Sequence, residues 1–239
     1  MESTLHWIYV GVMLLGALIF FLWSRNPKGV PQYEYLIAMF IPIWSGAAYM
    51  ALALGQGKIE IDGQIIYVAR YLDWIVTTPL LLLALSLTAM YKKPKDVTLI
   101  ASLMGADVFM IVCGLIADLS ETPIRYIWYG LGVAAFLVIM WLVWVTLNRR
   151  VMATQDNRMQ QIYRTLAAYL TLFWIGYPLT WLIGPSGLGL VSQEVDTFLF
   201  VFLPMFSKVG FSLLDLSLLR SLNESEGRTQ SQTQQPSFG

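Results

Sequence analysis

Seven stretches of mostly apolar residues, each long enough to cross a lipid bilayer, leave this chain few choices of fold. A spanning helix needs about 20 such residues, and the 239-residue sequence supplies them near 4–24, 33–55, 67–91, 97–117, 124–147, 160–183 and 195–220. In hydrocarbon every backbone N–H and C=O must be satisfied within the protein, so runs of this kind are helices. The expected fold is all-α: a seven-transmembrane-helix bundle over residues 1–222, followed by a polar tail at 223–239. That tail is rich in Ser, Gln and Thr, has nothing apolar to bury, and reads as disordered. Composition agrees, with 57% hydrophobic and 13% charged residues and a mean hydropathy of +0.62, too apolar for an ordinary soluble domain. The lipid bilayer is therefore the expected surroundings, and the inner (plasma) membrane the expected location. The first run opens with Glu2 and His6, not with a basic segment, and no small-residue cleavage site follows, so it reads as a retained helix.

The charges sum to zero, fifteen basic against fifteen acidic, which leaves no footprint for nucleic acid. Their placement says more. Arg25 and Lys28 follow run one, and Lys92, Lys93 and Lys95 follow run three. Arg149, Arg150, Arg158 and Arg164 surround the connection between runs five and six, and Arg220 and Arg228 follow run seven. All of these belong to one side. The opposite connections hold Lys58, Glu60 and Asp62, then Asp118, Glu121 and Arg125, then Glu194 and Asp196. The positive-inside rule puts the N-terminus outside and the C-terminus in the cytoplasm. Residues 57–67, with Ile59, Ile61 and Ile65 around Gly63, read as a short external hairpin. The lone cysteine, Cys113, rules out an intramolecular disulfide and reads as a packed thiol.

Run seven, DTFLFVFLPMFSKVGFSLLDLSLL, carries Lys208 about ten residues from either end, roughly 15 Å from water at 1.5 Å per residue. That is beyond the reach of a snorkelling stem, and an ionised lysine at mid-membrane costs about 2.5 to 3.5 kcal/mol or more. Two outcomes fit: a carboxylate partner, or a covalent fate, since desolvation favours the neutral amine that attacks an aldehyde. Run three, YVARYLDWIVTTPLLLL, places Arg70, Asp73, Trp74 and Thr77 on one face at i, i+3, i+4, i+7. Asp73 there is either the anion for a buried cation or half of an Arg70–Asp73 pair that fixes packing. In run six, LFWIGYPLTWLIG, the same spacing joins Trp174, Tyr177, Pro178 and Trp181. Such a stripe is either ordinary core or the wall for a flat, rod-like apolar ligand, and Pro178 permits a kink. Asp107, Met110 and Gly114 share a face of run four; Asp107 is a hydrogen-bonded packing residue or lies at the far end of a pocket.

The motifs ARYxDWxxTTPLLLL on the third run, GADxxMIxxGL on the fourth, WxxYPxxW on the sixth and SKVGF on the seventh resemble the microbial (type 1) rhodopsins across essentially all seven helices. The resemblance implies all-trans/13-cis retinal bound covalently, as a protonated Schiff base on Lys208, in a pocket inside the bundle. It makes Asp73 the counterion and Arg70 a gate on the external side, with Trp74, Trp174, Tyr177 and Trp181 around the polyene. Pro42, Tyr49, Thr77, Thr78, Leu81, Asp107, Met110, Gly114, Phe136, Pro178, Pro204 and Ser207 match positions near the chromophore. No metal site is implied.

Departures from the proton-pump pattern bear on function. One turn before the lysine, where the pumps have a second counterion aspartate, stands Pro204; eleven residues after Asp73, where outward pumps carry a proton donor, stands Ala84. Asp215 lies seven residues beyond Lys208, about 10 Å toward the cytoplasm on the same face. Pro204, Asp215 and the stretches RNPKGVPQYEYL, FIPIWSG and IGPSGLG resemble cyanobacterial sensory rhodopsin of the Anabaena type and, more widely, the xenorhodopsins. One branch of that group signals through a soluble cytoplasmic transducer; others move protons inward. The expected function is photosensing, with inward proton transport as the alternative, and not enzymatic catalysis. Asp73, Asp196 and Asp215 are the expected proton-pathway residues, Asp215 being either a proton acceptor or a helix-end partner of Arg220 or another cytoplasmic basic residue. A transducer and further copies of the chain are the implied protein partners.

Overall fold

Seven helices long and apolar enough to cross a membrane form in the computed structural model, which describes residues 2–61, 63–154 and 156–233. They are α1 (Glu2–Ser24), α2 (Gln32–Ala53), α3 (Val68–Ala89), α4 (Val97–Asp118), α5 (Ile124–Met152), α6 (Asn157–Ile183) and α7, which begins at Gln193. Between α2 and α3 the expected hairpin is present as β1 (Ile59–Ile61) and β2 (Gln64–Ile66), antiparallel with Ile59 opposite Ile66. Asp62, at its turn, and residues 234–239 lie outside the described residues. Side-chain caps set several starts. Asp96 accepts from the Leu99 N–H, Asp156 from those of Arg158 and Met159, and Ser192 from that of Val195. The Asp156 cap is why α6 begins before the expected residue 160.

α3 is the central post, with 72% of its apolar window buried against 28% for α4. Its polar side chains, Arg70, Asp73, Thr77 and Thr78, are therefore inside the protein and not against lipid.

Two helices change pitch. α5 runs Ile124–Trp141, passes through a π turn at Leu142–Leu147 and finishes as Asn148–Met152, five residues beyond the expected end. α7 runs Gln193–Pro204, turns through a second π segment at Met205–Gly210 and continues as Phe211–Thr233. Tyrosine hydroxyls serve the carbonyls at both places. Tyr163 of α6 donates to Val143 O at 2.6 Å, and Tyr169 of α6 to Phe206 O at 3.1 Å. Pro204 lacks the N–H that would bond the carbonyl four residues back, and that carbonyl, Phe200 O, accepts from Tyr49 of α2 at 2.7 Å.

The continuation of α7 departs from the expected disordered tail. Its helix persists through Thr233, and residues 221–226 have partners that a free tail lacks. Lys28 pairs with Glu224 and Lys92 with Glu226, each at 2.5 Å, Asn223 donates to Tyr91, and Arg158 donates to Ser221 and Ser225. Arg220 donates to Trp23 O, Asn26 O and Tyr35 Oη. The end of α7 thus ties together the α1–α2 connection, the α3–α4 connection and the start of α6.

Candidate functional site

Lys208 lies inside the α7 π turn and has no solvent exposure; nor has Asp73 on α3. Their side chains form an ion pair. Ser45 of α2 completes the set: Lys208 Nζ donates to Ser45 Oγ at 2.9 Å, and Ser45 Oγ donates to Asp73 Oδ2 at 2.9 Å. With its one proton committed to Asp73, Ser45 accepts from Tyr9 of α1 at 2.6 Å. Thr77 donates to Asp73 Oδ1 at 3.1 Å and also to Asp73 O. Both carboxylate oxygens are thereby occupied, which is what a buried charge requires. The side chain one turn before the lysine, Pro204, offers no oxygen, and among the described residues Asp73 is the single carboxylate bonded to this amine.

Beside the pair lies an apolar cavity of about 90 Å³ whose walls come from α3 to α7. Trp74, Thr78, Met110, Gly114 and Phe136 line one part, and Trp174, Tyr177, Pro178 and Trp181 the other. Tyr129 stacks on Trp181 at 4.6 Å and 12°. The wall nearest the ion pair is Trp74, adjacent in sequence to Asp73, and Tyr177, whose hydroxyl is bonded to Ser207 at 2.8 Å. These two rings meet edge to face at 5.4 Å. A buried amine, one counter-charge and an adjoining aromatic cavity suit a flat apolar aldehyde condensed on Lys208.

Polar clusters flank the site on both sides. On the N-terminal face Arg70 bonds Asp196 at 3.0 Å and Thr197 at 3.3 Å. The arginine is thus paired across the bundle with α7 and not with Asp73 one turn away, because Asp73 is already taken by Lys208. A small cavity joins Arg70 and Asp196 to Asp118, which accepts from Tyr71 at 2.6 Å. On the opposite face Asp215, 3% exposed, accepts from Thr88 of α3 at 2.8 Å. The Arg220 guanidinium donates instead to Trp23 O, Asn26 O and Tyr35 Oη. Glu34 of α2 is buried with neither carboxylate oxygen bonded, close enough to Asp215 for their charges to interact.

The structure gathers Lys208, Asp73, Thr77 and Ser207 at the pair and Tyr49 just behind it, stacked on Tyr9 at 3.9 Å. Asp107 accepts from Thr78 at 2.6 Å, at the edge of the cavity and outside its lining. Leu81 is fully buried core outside the cavity lining, and Pro42 and Pro204 act on the backbone. Ser45, Tyr9, Tyr71, Asp118 and Glu34 were not singled out by the sequence reading. The available signal for Ser45 and Tyr9 is a hydroxyl on the inner face of an otherwise apolar run.

Residues 1–222 match the family model described as bacteriorhodopsin-like protein. Archaerhodopsin-2 of Halobacterium sp. (strain aus-2) is 37% identical over 230 residues, covering 92% of this chain and 86% of its own. Sensory rhodopsin-2 of Haloarcula vallismortis is 31% identical over 232 residues, 96% of each. Among solved structures, thermophilic rhodopsin from Rubrobacter xylanophilus superposes with a TM-score of 0.87 at 39% identity, covering 93% of this chain and 98% of that one. A cyanorhodopsin from Calothrix sp. NIES-2098 does so with a TM-score of 0.85 at 30% identity, covering 91% and 94%.

Proposed function

We propose that this chain, which belongs to the bacteriorhodopsin-like family of membrane proteins that bind retinal covalently through a Schiff base, is a photosensor carrying its chromophore on Lys208 and signalling at its cytoplasmic face. The observation that supports this most is the wholly buried Lys208–Asp73 pair beside the aromatic cavity. Retinal, when bound, supplies absorption of light and isomerisation. The residues do the rest. Asp73 holds the positive charge at the Lys208 nitrogen, and Ser45 and Thr77 fix the two oxygens of that carboxylate. Trp74, Tyr177 and Trp181 exclude water, and Arg70 with Asp196 closes the N-terminal side. The charge asymmetry of the connections favours that side as the external one.

Signalling fits the shape of α7. Lys208 sits in the π turn, and the same helix ends on the basic connections through Glu224 and Glu226. A displacement at the lysine is transmitted along it to the cytoplasmic ends of α1, α3 and α6, where a soluble transducer would dock. Further copies of the chain would pack against its lipid-facing sides.

A second reading, inward proton transport, is favoured by Asp215 and Glu34, two buried carboxyls placed to take a proton on the cytoplasmic side of the lysine. Illumination of cells expressing the protein separates the two. Sustained alkalinisation of the medium that collapses with a protonophore means inward transport; no pH change supports the sensor.

A further inference from the structure

A third cavity, of about 290 Å³, opens between the first turn of α1, the end of α2 and the residues leading into α3. Its polar lining is Glu2, Ser3, His6, Lys58 and Tyr67. One water needs roughly 15 Å³ of such space, so a polar cavity of this size holds several. His6 is the only histidine in the chain, is 2% exposed, and has no hydrogen-bond partner among the described residues for either ring nitrogen. A neutral imidazole carries one donor and one acceptor, and leaving both unmatched in a buried place is costly. The cavity is where their partners lie.

The path from His6 to the ion pair is short and aromatic. Its ring meets Tyr49 edge-on at 5.7 Å and Tyr67 at 6.2 Å. Tyr49 is stacked on Tyr9, and the Tyr9 hydroxyl is bonded to Ser45, which holds both Asp73 and Lys208. The Arg70 guanidinium lies 4.1 Å from the Tyr67 ring centre. The titratable and charged groups around His6 are Glu2 and Tyr9 on α1, Tyr49 on α2, Lys58 before the hairpin, and Tyr67 and Arg70 at the start of α3. Asp196 of α7 is paired with Arg70. Burial pushes the Tyr67 phenol up to about 12, so it stays protonated and donates to Glu2 at 3.0 Å. Two cations thus stand near His6, against one carboxylate already engaged by Tyr67.

We infer that this cavity is a proton-binding site in contact with the medium on the N-terminal face, with the His6 imidazole as its acceptor, and that its charge is felt at the Lys208–Asp73 pair. An imidazolium formed here shares the Glu2 carboxylate of the cavity lining with Lys58, and across a packed aromatic layer its field is weakly screened. A positive charge on this flank opposes the field of Asp73 at the Lys208 nitrogen, so the visible band moves to longer wavelength as pH falls through the His6 midpoint. This optical half rests on the retinal reading; the imidazole half does not.

Because the chain has one histidine, selective 15N-histidine labelling of the full-length protein in vesicles reports on His6 alone. Followed from about pH 8 to pH 3, the signal should titrate in a single step. The visible band should shift at the same midpoint, and that shift should vanish in both His6→Phe and His6→Gln. An imidazole signal that stays constant over this range overturns the site, whatever the chromophore does. Titration with no optical step, or with a step that survives both substitutions, overturns the coupling. Failure of the unmodified protein to form a visible band with retinal counts against the retinal reading alone, and the imidazole titration still decides the site.

Discussion

Lys208 and Asp73 are each the other's condition for being buried, and this shapes what their replacement does. Lys208→Ala should abolish the visible band after incubation with retinal, measured by absorption spectroscopy; a surviving band that shifts with acid would place the attachment on another residue. Because that substitution strands Asp73 in an apolar interior, at a cost of about 3–5 kcal/mol, the double variant Lys208→Ala/Asp73→Asn is the better-folded control. Asp73→Asn alone should either move the band to longer wavelength or yield a near-ultraviolet form at alkaline pH. An unchanged spectrum and titration would show that another group is the counterion. These two residues were legible in the sequence because an uncompensated charge at mid-membrane is too costly to be incidental. Ser45 and Tyr9 were not, since a hydroxyl within an apolar helix can bond its own backbone and so implies no distant partner. Glu34 was hidden differently: an acid in the first turn of a helix reads as a partner for the helix dipole, and its approach to Asp215 appears only once α2 is laid beside α7.

The seven helices could be placed from apolar runs alone, but their irregularities could not. Nothing in LVWVTL or MFSKVG announces a π turn, because one residue more per turn alters no hydrophobic pattern of that length. The partners that support these turns come from the neighbouring helix α6, 20 and 37 residues away in sequence. Tyr163→Phe should therefore lower stability by about 0.5–1.5 kcal/mol, because it removes one of two donors to the buried Val143 carbonyl, the other being the Asn148 N–H, and a thermal or denaturant unfolding series in detergent measures this. Tyr169→Phe should cost less, its hydroxyl being half-buried and open to replacement by water. The contact between α1 and the α7 π turn is as tight: a Cβ on Gly16 would stand 2.8 Å from Val209 Cγ2. Gly16→Leu should force the two helices apart and cost about 1–3 kcal/mol, read as a lowered Tm. A Tm equal to that of the unmodified protein would mean that α1 is not seated against Val209.

Taken as one body, the protein has a proton-bearing group on the N-terminal side, a charged pair at its centre and two carboxyls toward the other face, yet no acid at Ala84. Efficient outward proton pumping should therefore be absent. Acidification of the medium on illumination, at rates like those of a dedicated pump, is the result that would contradict this. The same view explains why α7 outlasts the membrane. Beyond Gly210 it acts mechanically as a lever whose fulcrum is the turn that holds Lys208. Glu226 lies sixteen residues farther on, about 24 Å of helix at 1.5 Å per residue, so a tilt of about 5° carries its tip through about 2 Å. Ion pairs closed at 2.5 Å become water-separated over such a distance. A backbone adjustment too slight to disturb the packing around the lysine is then amplified into the loosening of three attachments at once.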